Sequence, residues 1–400
     1  MSASLIPTLS TGEADWDQLL IQYPFLREMA TCPQEPEHHA EGDVLTHSKM
    51  VASAGLQLAR EHALSAEDTQ RLLFACVFHD CGKPMTYQLG EDGKHSSPKH
   101  ALKGSQFLRH HLWTINSPIS LAEREHLLGL IRMHAWPVRF LERARPEATV
   151  IEASLSVSNK LLGLLTMADM QGRICLDRAA QTQAIETARL YLEHAADLEC
   201  LDMPYAFPNA HTRFSYFQKQ GELNLGVALY DNTTFEVTML SGLPASGKDT
   251  WLARNYPAGK AIISRDEIRR ELREAGEKQE GAVLQEMTAC MKRALAQKVD
   301  FAVNATNLRR ELRQSLLNLA IAYGARTKVI YLQADRETSL RRNRERNKSL
   351  AFADQVSVSG IEALARKMEP PLPTEAYEVE LLDQNAASER RRAVTTEVRA

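Results

Sequence analysis

The chain has 400 residues, 25% of them charged and 44% hydrophobic, with a formal net charge of −3; that is long enough for two domains and too balanced to coat a polyanion over its whole surface. No run approaches the ~20 apolar residues of a membrane span, no basic patch precedes an apolar block at the N-terminus, and Cys32, Cys76, Cys81, Cys175, Cys200 and Cys290 form no CxxC pair, so a reducing, cytoplasmic setting is expected. Charge is uneven: from Glu236 onward there are 28 Lys+Arg against 23 Asp+Glu, and before it 20 against 28 together with all 13 histidines, so the first part is expected to hold cations and the second to meet phosphate.

Residues 1–210 read as nearly all helix. "VLTHSKMVASAGLQLAREHAL", "AEDTQRLLFACVFHD" and "EASLSVSNKLLGLLTMADMQGR" each carry apolar positions three and four apart. The second runs into "VFHDCGKP", where His79 and Asp80 are adjacent. Neighbours on a regular helix diverge by about 100°, so ligation of one metal by both requires a local break, which Gly82 and Pro84 permit. With His47 upstream and Asp169 downstream, imidazoles and carboxylates make a set suited to a hydrolytic divalent ion. His100 in "HALKGSQFL" and His134 in "LIRMHAWP" could hold a second metal with Asp80 as the bridge, and two metals would activate a water and neutralise phosphate oxygens together. One buried histidine is usually a hydrogen-bonded core residue; this ordered set with its HD dyad reads as a metal centre. Lys83 either steadies a substrate phosphate or caps the preceding helix. His38, His39, His95, His110, His111 and His126 are expected at the surface.

The texture changes between about Pro204 and Thr234, and residues 211–234 read as a linker. From 235 to 385 strand and helix alternate: "FEVTMLSG" is a strand, "GKDTWLARNY" a helix, "AIISRDEIRREL" a strand turning into a helix, "DFAVNATN" a strand, "RRELRQSLLNLAIAYG" a helix and "TKVIYLQAD" a strand. Such alternation predicts a parallel sheet covered by helices. The expected fold is therefore an all-α domain followed by an α/β domain, with a charged tail over 386–400.

"GLPASGKDT" supplies Gly242, Gly247 and Lys248 at G-x-x-x-x-G-K spacing between a strand and a helix. In such a loop, with Ala245 and Ser246 inside it, backbone N–H groups face phosphate oxygens, the helix N-terminus adds positive potential, and the lysine reaches the β- and γ-phosphates. Asp249 stands where the pattern has Ser or Thr. Thr250 follows and is expected to support Mg²⁺; Asp249 is a direct metal ligand or an acid balancing the helix dipole. "ISRDEIR" places Asp266 at a strand end, where a carboxylate can take a proton from an attacking hydroxyl, and Arg269 one turn on, where it can clamp an acceptor phosphate; the bland reading is a surface ion pair. "SLRRNRERNKS" is a solvated basic face or a lid that neutralises a transferring phosphoryl group, with Arg342 and Arg346 four apart on one face.

"GLPASGKDTW…SRDEIR…ATNLRRELR…RRNRER" resembles the kinase module of polynucleotide 5′-hydroxyl kinases over roughly Val237–Asp383. The resemblance implies that Lys248 binds the β/γ-phosphates, Asp266 is the general base, Arg269 grips the acceptor's phosphate and Arg346 contacts the γ-phosphate. Where that family often has Asp before T-N-L, this chain has Ala305, with Asn304 and Asn307 as nearby polar groups. "H…HDxGKP…H…H…D" over about Glu35–Arg178 resembles the HD phosphohydrolase superfamily, which implies an all-helical fold and phosphoester cleavage. Together the halves look like bacterial bifunctional HD-phosphatase/polynucleotide kinases. That implies nucleic-acid end healing: phosphorylation of a 5′-OH, and removal of a 3′-phosphate, 2′-phosphate or 2′,3′-cyclic phosphate, as a ligase requires. The implied cofactors are ATP or another NTP with Mg²⁺ in the kinase, and one or two divalent transition ions such as Mn²⁺, Ni²⁺, Co²⁺ or Zn²⁺ in the HD site. The implied partners are RNA or DNA ends, with no membrane; a homodimer is allowed. Two other readings stay open: a nucleoside or metabolite kinase joined to a nucleotidase, and a nucleotide-binding regulatory switch, which Asp249 and Ala305 favour.

Overall fold

A computed structural model describes residues 6–10, 12–219, 221–277 and 279–385; the charged tail expected over 386–400 lies outside them. The chain divides into two compact units, Met1–Arg109 with Glu123–Ala206 and His110–Ala122 with Phe207–Ala400.

The first unit is built on α1 (Val44–Glu61), α2 (Ala66–Phe78), α3 (His100–Thr114) as far as Arg109, α4 (Leu121–Met133) from Glu123 on, α5 (Pro146–Ser154), α6 (Asn159–Gln171) and α7 (Arg178–Asp197). Asp43 and Ser65 cap α1 and α2, each accepting a backbone N–H three residues on. Helix α6 is buried continuously from Leu161 to Met170 and packs against α1, α2 and α7; covered on every side, it is a core helix that carries Thr166 and Asp169 inside. The stretch expected as one helix from Glu152 is in fact two. The interruption falls at Leu155–Ser158, because Ser158 Oγ accepts the Leu161 N–H at 3.2 Å and starts a new helix. Buried Asn159 then donates to Val150 O (3.2 Å) and Cys200 O (2.9 Å) and accepts the Tyr191 hydroxyl. Such a network holds only where every polar group is satisfied.

In the second unit, α8 (Ala210–Gln218) occupies part of the expected linker; its Phe214 ring stacks on Tyr377 at 4.0 Å between centroids. Strands β1 (Glu236–Ser241), β2 (Ala261–Ser264), β3 (Phe301–Asn304), β4 (Arg326–Gln333) and β5 (Glu378–Asp383) form one sheet in the order β2-β3-β1-β4-β5, parallel throughout. The intervening helices are α9 (Lys248–Asn255), α10 (Arg265–Glu274), α11 (Glu280–Ala296), α12 (Arg310–Ala322), α13 (Arg336–Lys348) and α14 (Val358–Ala365). β1 is buried from Val237 to Ser241, as a central strand covered on both faces must be. Consecutive strands β1 and β2 are separated in the sheet by β3, so their carboxyl ends open a crevice, the ordinary place for a ligand. No helix among the described residues is long and apolar enough to cross a membrane.

Candidate functional sites

In the first unit α2 stops at Phe78, and a short helical turn resumes only at Lys83. His79 and Asp80 lie in the break and turn the same way. Gly82 brings this break against α3: a Cβ there would meet His100 O at 2.1 Å and Gly104 N at 2.5 Å. His47 on α1, His134 after α4 and Asp169 on α6 complete the cluster; all are buried except His100, which is partly open.

Each imidazole is oriented by the same device. Nδ1 donates to a backbone carbonyl: His47 to Gly172 (3.2 Å), His79 to Cys76 (2.9 Å), His100 to Ser97 (2.9 Å) and His134 to Ile131 (2.8 Å). A carbonyl can only accept, so Nδ1 carries a proton in each ring and Nε2 is the atom that faces the cluster. Nε2 of His47 and His79 lie 3.3 Å apart, and those of His100 and His134 lie 3.4 Å apart. Asp80 stands between the pairs, with Oδ2 3.2 Å from His79 and 3.7 Å from His47, and Oδ1 3.2 Å from His100. Asp169 Oδ1 is 3.0 Å from His47 Nε2 and 3.7 Å from His79 Nε2.

Two unprotonated nitrogens at such distances repel unless a cation lies between them. Buried Asp80 Oδ1 receives no hydrogen bond. The spacings suit pairs of nitrogens on one ion at metal–nitrogen lengths of about 2.0–2.1 Å. The donors therefore fit one ion among His47, His79 and Asp80, with Asp169 beside the two imidazoles, and a second among Asp80, His100 and His134. Burial pushes His134 down to about 3, keeping it a neutral donor. Burial also acts to raise the carboxyls of Asp80 and Asp169, but His79 and Lys83 beside the first and Arg173 beside the second hold both well below the usual carboxylate range.

Lys83 Nζ pairs with Asp80 Oδ2 at 2.7 Å and with Gln34 Oε1. Two groups escape a sequence reading. Arg173 binds Asp169 through both oxygens, at 3.0 and 2.6 Å; the i,i+4 spacing was a signal for it. Glu41 Oε1 lies 2.8 Å from His39 Nδ1 and 3.0 Å from His47 Nδ1, on a loop with no periodic signal. His39, expected at the surface, is buried because it closes on Glu41.

In the second unit the loop Gly242–Gly247 joins β1 to α9, and Gly247 has φ 102°, a conformation glycine adopts without strain. The loop after β3 latches onto it. Gly242 N–H donates to Thr306 O (2.9 Å), Ser241 Oγ to Asn307 O (2.9 Å) and Asn307 Nδ2 to Leu240 O (2.8 Å). Beneath lies buried Arg313, paired with Glu375 through two nitrogens at 2.8 and 3.0 Å and donating to the carbonyls of Asn307, Leu308 and Glu369. Asn307 and Arg313 thus shape the site without entering it.

Lys248, Asp249, Asp266, Arg269, Asn304 and Arg346 line one cavity of 1350 Å³, ample for a nucleotide and part of an acceptor. Lys248 Nζ donates to the loop carbonyls of Gly242 (3.0 Å) and Leu243 (2.7 Å), and burial lowers its pKa to about 8. Arg269 Nη1 donates to Asp266 Oδ1 at 2.6 Å while its Nε donates to Glu280 at 2.6 Å. Arg265, Arg270 and Arg273 add to the same wall; the spacing in "RDEIRRELR" was their signal. On α13, Arg346 reaches the cavity and its Nε is buried without an acceptor. Arg342 Nη1 comes within 3.8 Å of a Cβ built on Gly247, and Arg341 and Arg344 are exposed. Asp249 lies on the cavity wall, and its Oδ1 accepts from Asn304 Nδ2 at 2.7 Å. Thr250 is exposed and off that wall.

Residues 44–155 match the family described as HD domain, and residues 237–371 match the family described as AAA domain. The chain therefore carries a helical HD hydrolase domain followed by an α/β P-loop kinase-like domain. Similar solved structures include a provisionally assigned kinase from Chloroflexus aurantiacus, 17% identical over 40% of this chain and 98% of that one, at a TM-score of 0.32. Another is Chaetomium thermophilum Kti12 in complex with ADP-AlF3, 19% identical over 40% of this chain and 96% of that one, at 0.30. No curated protein matches the chain.

Proposed function

We propose that this protein heals nucleic-acid ends: its kinase half transfers the γ-phosphoryl of ATP or another NTP to a 5′-OH, and its HD half removes a terminal 3′-phosphate, 2′-phosphate or 2′,3′-cyclic phosphate. The observation that supports this best is the kinase cavity. Lys248 and Asp266 share its wall, and α10 prolongs that wall with Arg269, Arg270 and Arg273, more cationic length than a nucleoside acceptor needs.

Lys248 leaves the loop carbonyls for the β/γ-phosphates. Arg269 passes from Asp266 to the acceptor's phosphate, and the freed Asp266 carboxylate takes the 5′-hydroxyl proton. Arg346 and Arg342 neutralise charge on the transferring group. Mg²⁺, when bound, neutralises phosphate oxygens. In the HD half His47, His79, Asp80, Asp169, His100 and His134 are the ligands for divalent transition ions, which when bound polarise the phosphoester and activate water. Arg173 keeps Asp169 ionised, and Lys83 lies beside Asp80 ready to meet a phosphate oxygen. On this reading the partners are RNA or DNA ends and, downstream, a ligase; the six free cysteines fit a reducing cytoplasm.

The test is transfer from labelled ATP to 5′-OH oligonucleotides of RNA and DNA and to mononucleosides, with 3′-phosphate and cyclic-phosphate ends followed in parallel. Transfer to oligonucleotides over mononucleosides is expected. Equal transfer to mononucleosides identifies a small-molecule kinase instead, and ATP consumption with no labelled acceptor identifies a switch.

A further inference from the structure

Asp249 is the residue the phosphate-loop pattern does not account for. It follows the loop lysine directly, in the first turn of α9, and faces the cavity. An acid in this place sits beside the ground on which nucleotide phosphates are bound, and like charges a few ångströms apart repel even at an exposed position such as this one. An unpaired exposed acid would simply swing away. This one is tied down: Asn304 Nδ2, at the carboxyl end of β3, donates to Oδ1 at 2.7 Å. Among the described residues none donates to Oδ2. The hydroxyls that could replace it are placed elsewhere. Thr250 is exposed off the cavity wall. Ser246 is fully buried under the loop, its Oγ without a partner and 2.7 Å from a Cβ built on Gly242.

We infer that Asp249, held by Asn304, is a direct ligand of the divalent cation that accompanies the nucleotide. The inference rests on the kinase reading of the cavity. Hard oxygen donors suit Mg²⁺, which is commonly bound by one or two carboxylates together with substrate phosphates. A carboxylate does more than a hydroxyl in that position. It repels phosphate when no cation is present and attracts the cation–phosphate pair when one is, so nucleotide and metal become obligatorily coupled.

The experiment is titration of the full chain with a non-hydrolysable ATP analogue, by calorimetry, in EDTA and in saturating Mg²⁺, with Mn²⁺ binding followed by electron paramagnetic resonance. The same series is run on Asp249→Asn and Asp249→Ser. In the wild type the cation is expected to raise nucleotide affinity by on the order of a hundredfold. Asp249→Asn should bind the metal-free analogue about tenfold more tightly than wild type, gain little from Mg²⁺ and lose the nucleotide-dependent Mn²⁺ signal. Asp249→Ser should recover part of the metal gain. An undiminished metal gain in Asp249→Asn, or equal weakening with and without metal, overturns the inference while leaving the kinase reading intact. No binding of the analogue to wild type in Mg²⁺ overturns both.

Discussion

The HD cluster and the kinase cavity are two phosphate-chemistry sites built on opposite terms. In the first, every donor but His100 is buried, each imidazole is locked by a main-chain carbonyl, and the carboxylates are compensated by Arg173 and Lys83. In the second, the functional groups are tied to one another: Lys248 to its own loop, Asp266 to Arg269, Arg269 to Glu280. The side chain of Asp266 is 72% exposed. A metal centre must hold several lone pairs at fixed spacing before the ion arrives, so its shell is prepaid by the fold. A phosphoryl-transfer site must admit two large anionic substrates, and its cations are released from internal partners as phosphates replace them. The first is organised by burial and the second by exchange of ion pairs.

That contrast can be broken most sharply by separating the activities. His79→Ala or Asp80→Asn should cost the hydrolase about a thousandfold or more and strip the bound metal, read by elemental analysis, while 5′-phosphorylation stays within about twofold. Lys248→Ala and Asp266→Ala should lower phosphorylation by about 10²–10⁴-fold, with phosphate release from 3′-ends unchanged. If either pair silences both activities, the two sites are not independent. Dialysis against chelator should abolish both reactions, and Mn²⁺ should restore the HD half better than Mg²⁺, since imidazole ligands favour transition ions. Stability gives a smaller test. Glu375→Gln removes the counter-charge of buried Arg313 and should cost about 3–5 kcal/mol in denaturant unfolding, carrying kinase activity with it because the Asn307 latch loosens. The smallest effect is Ser158→Ala, expected at about 1 kcal/mol from the lost α6 cap; no loss would mean that the interruption before α6 is set by packing alone.

Much of this was readable in advance where residues act through local pattern. The helical HD half, the alternation of strand and helix after residue 235, the phosphate loop and the HD dyad all declare themselves in periodicity or fixed spacing. α11, α14 and β5 went unread, since "EVELLD" at a sheet's edge carries too little apolar signal to be told from a loop. The interruption before α6 was missed because its apolar period continues across it, and only the satisfied polar groups of Ser158 and Asn159 end the helix. Glu41, Arg313 and Glu375 act through partners distant in the chain or on loops, which no window can see, whereas the Arg173–Asp169 pair is four residues apart and was within reach of one.

The sequence by itself determined which chemical groups this protein possesses and the order in which two domain types appear, because helix period, glycine spacing and the HD dyad are properties of neighbouring residues. Only the tertiary structure decided which groups meet. It turned four imidazoles inward on backbone carbonyls and set Asp80 between two histidine pairs. It put Asp249 rather than Thr250 on the cavity wall and buried His39 against Glu41. Those outcomes depend on burial and on the packing of elements far apart in the chain, even where the hydrogen bond itself is local, as from His79 to Cys76, and burial is a property of the folded chain, not of any segment of it.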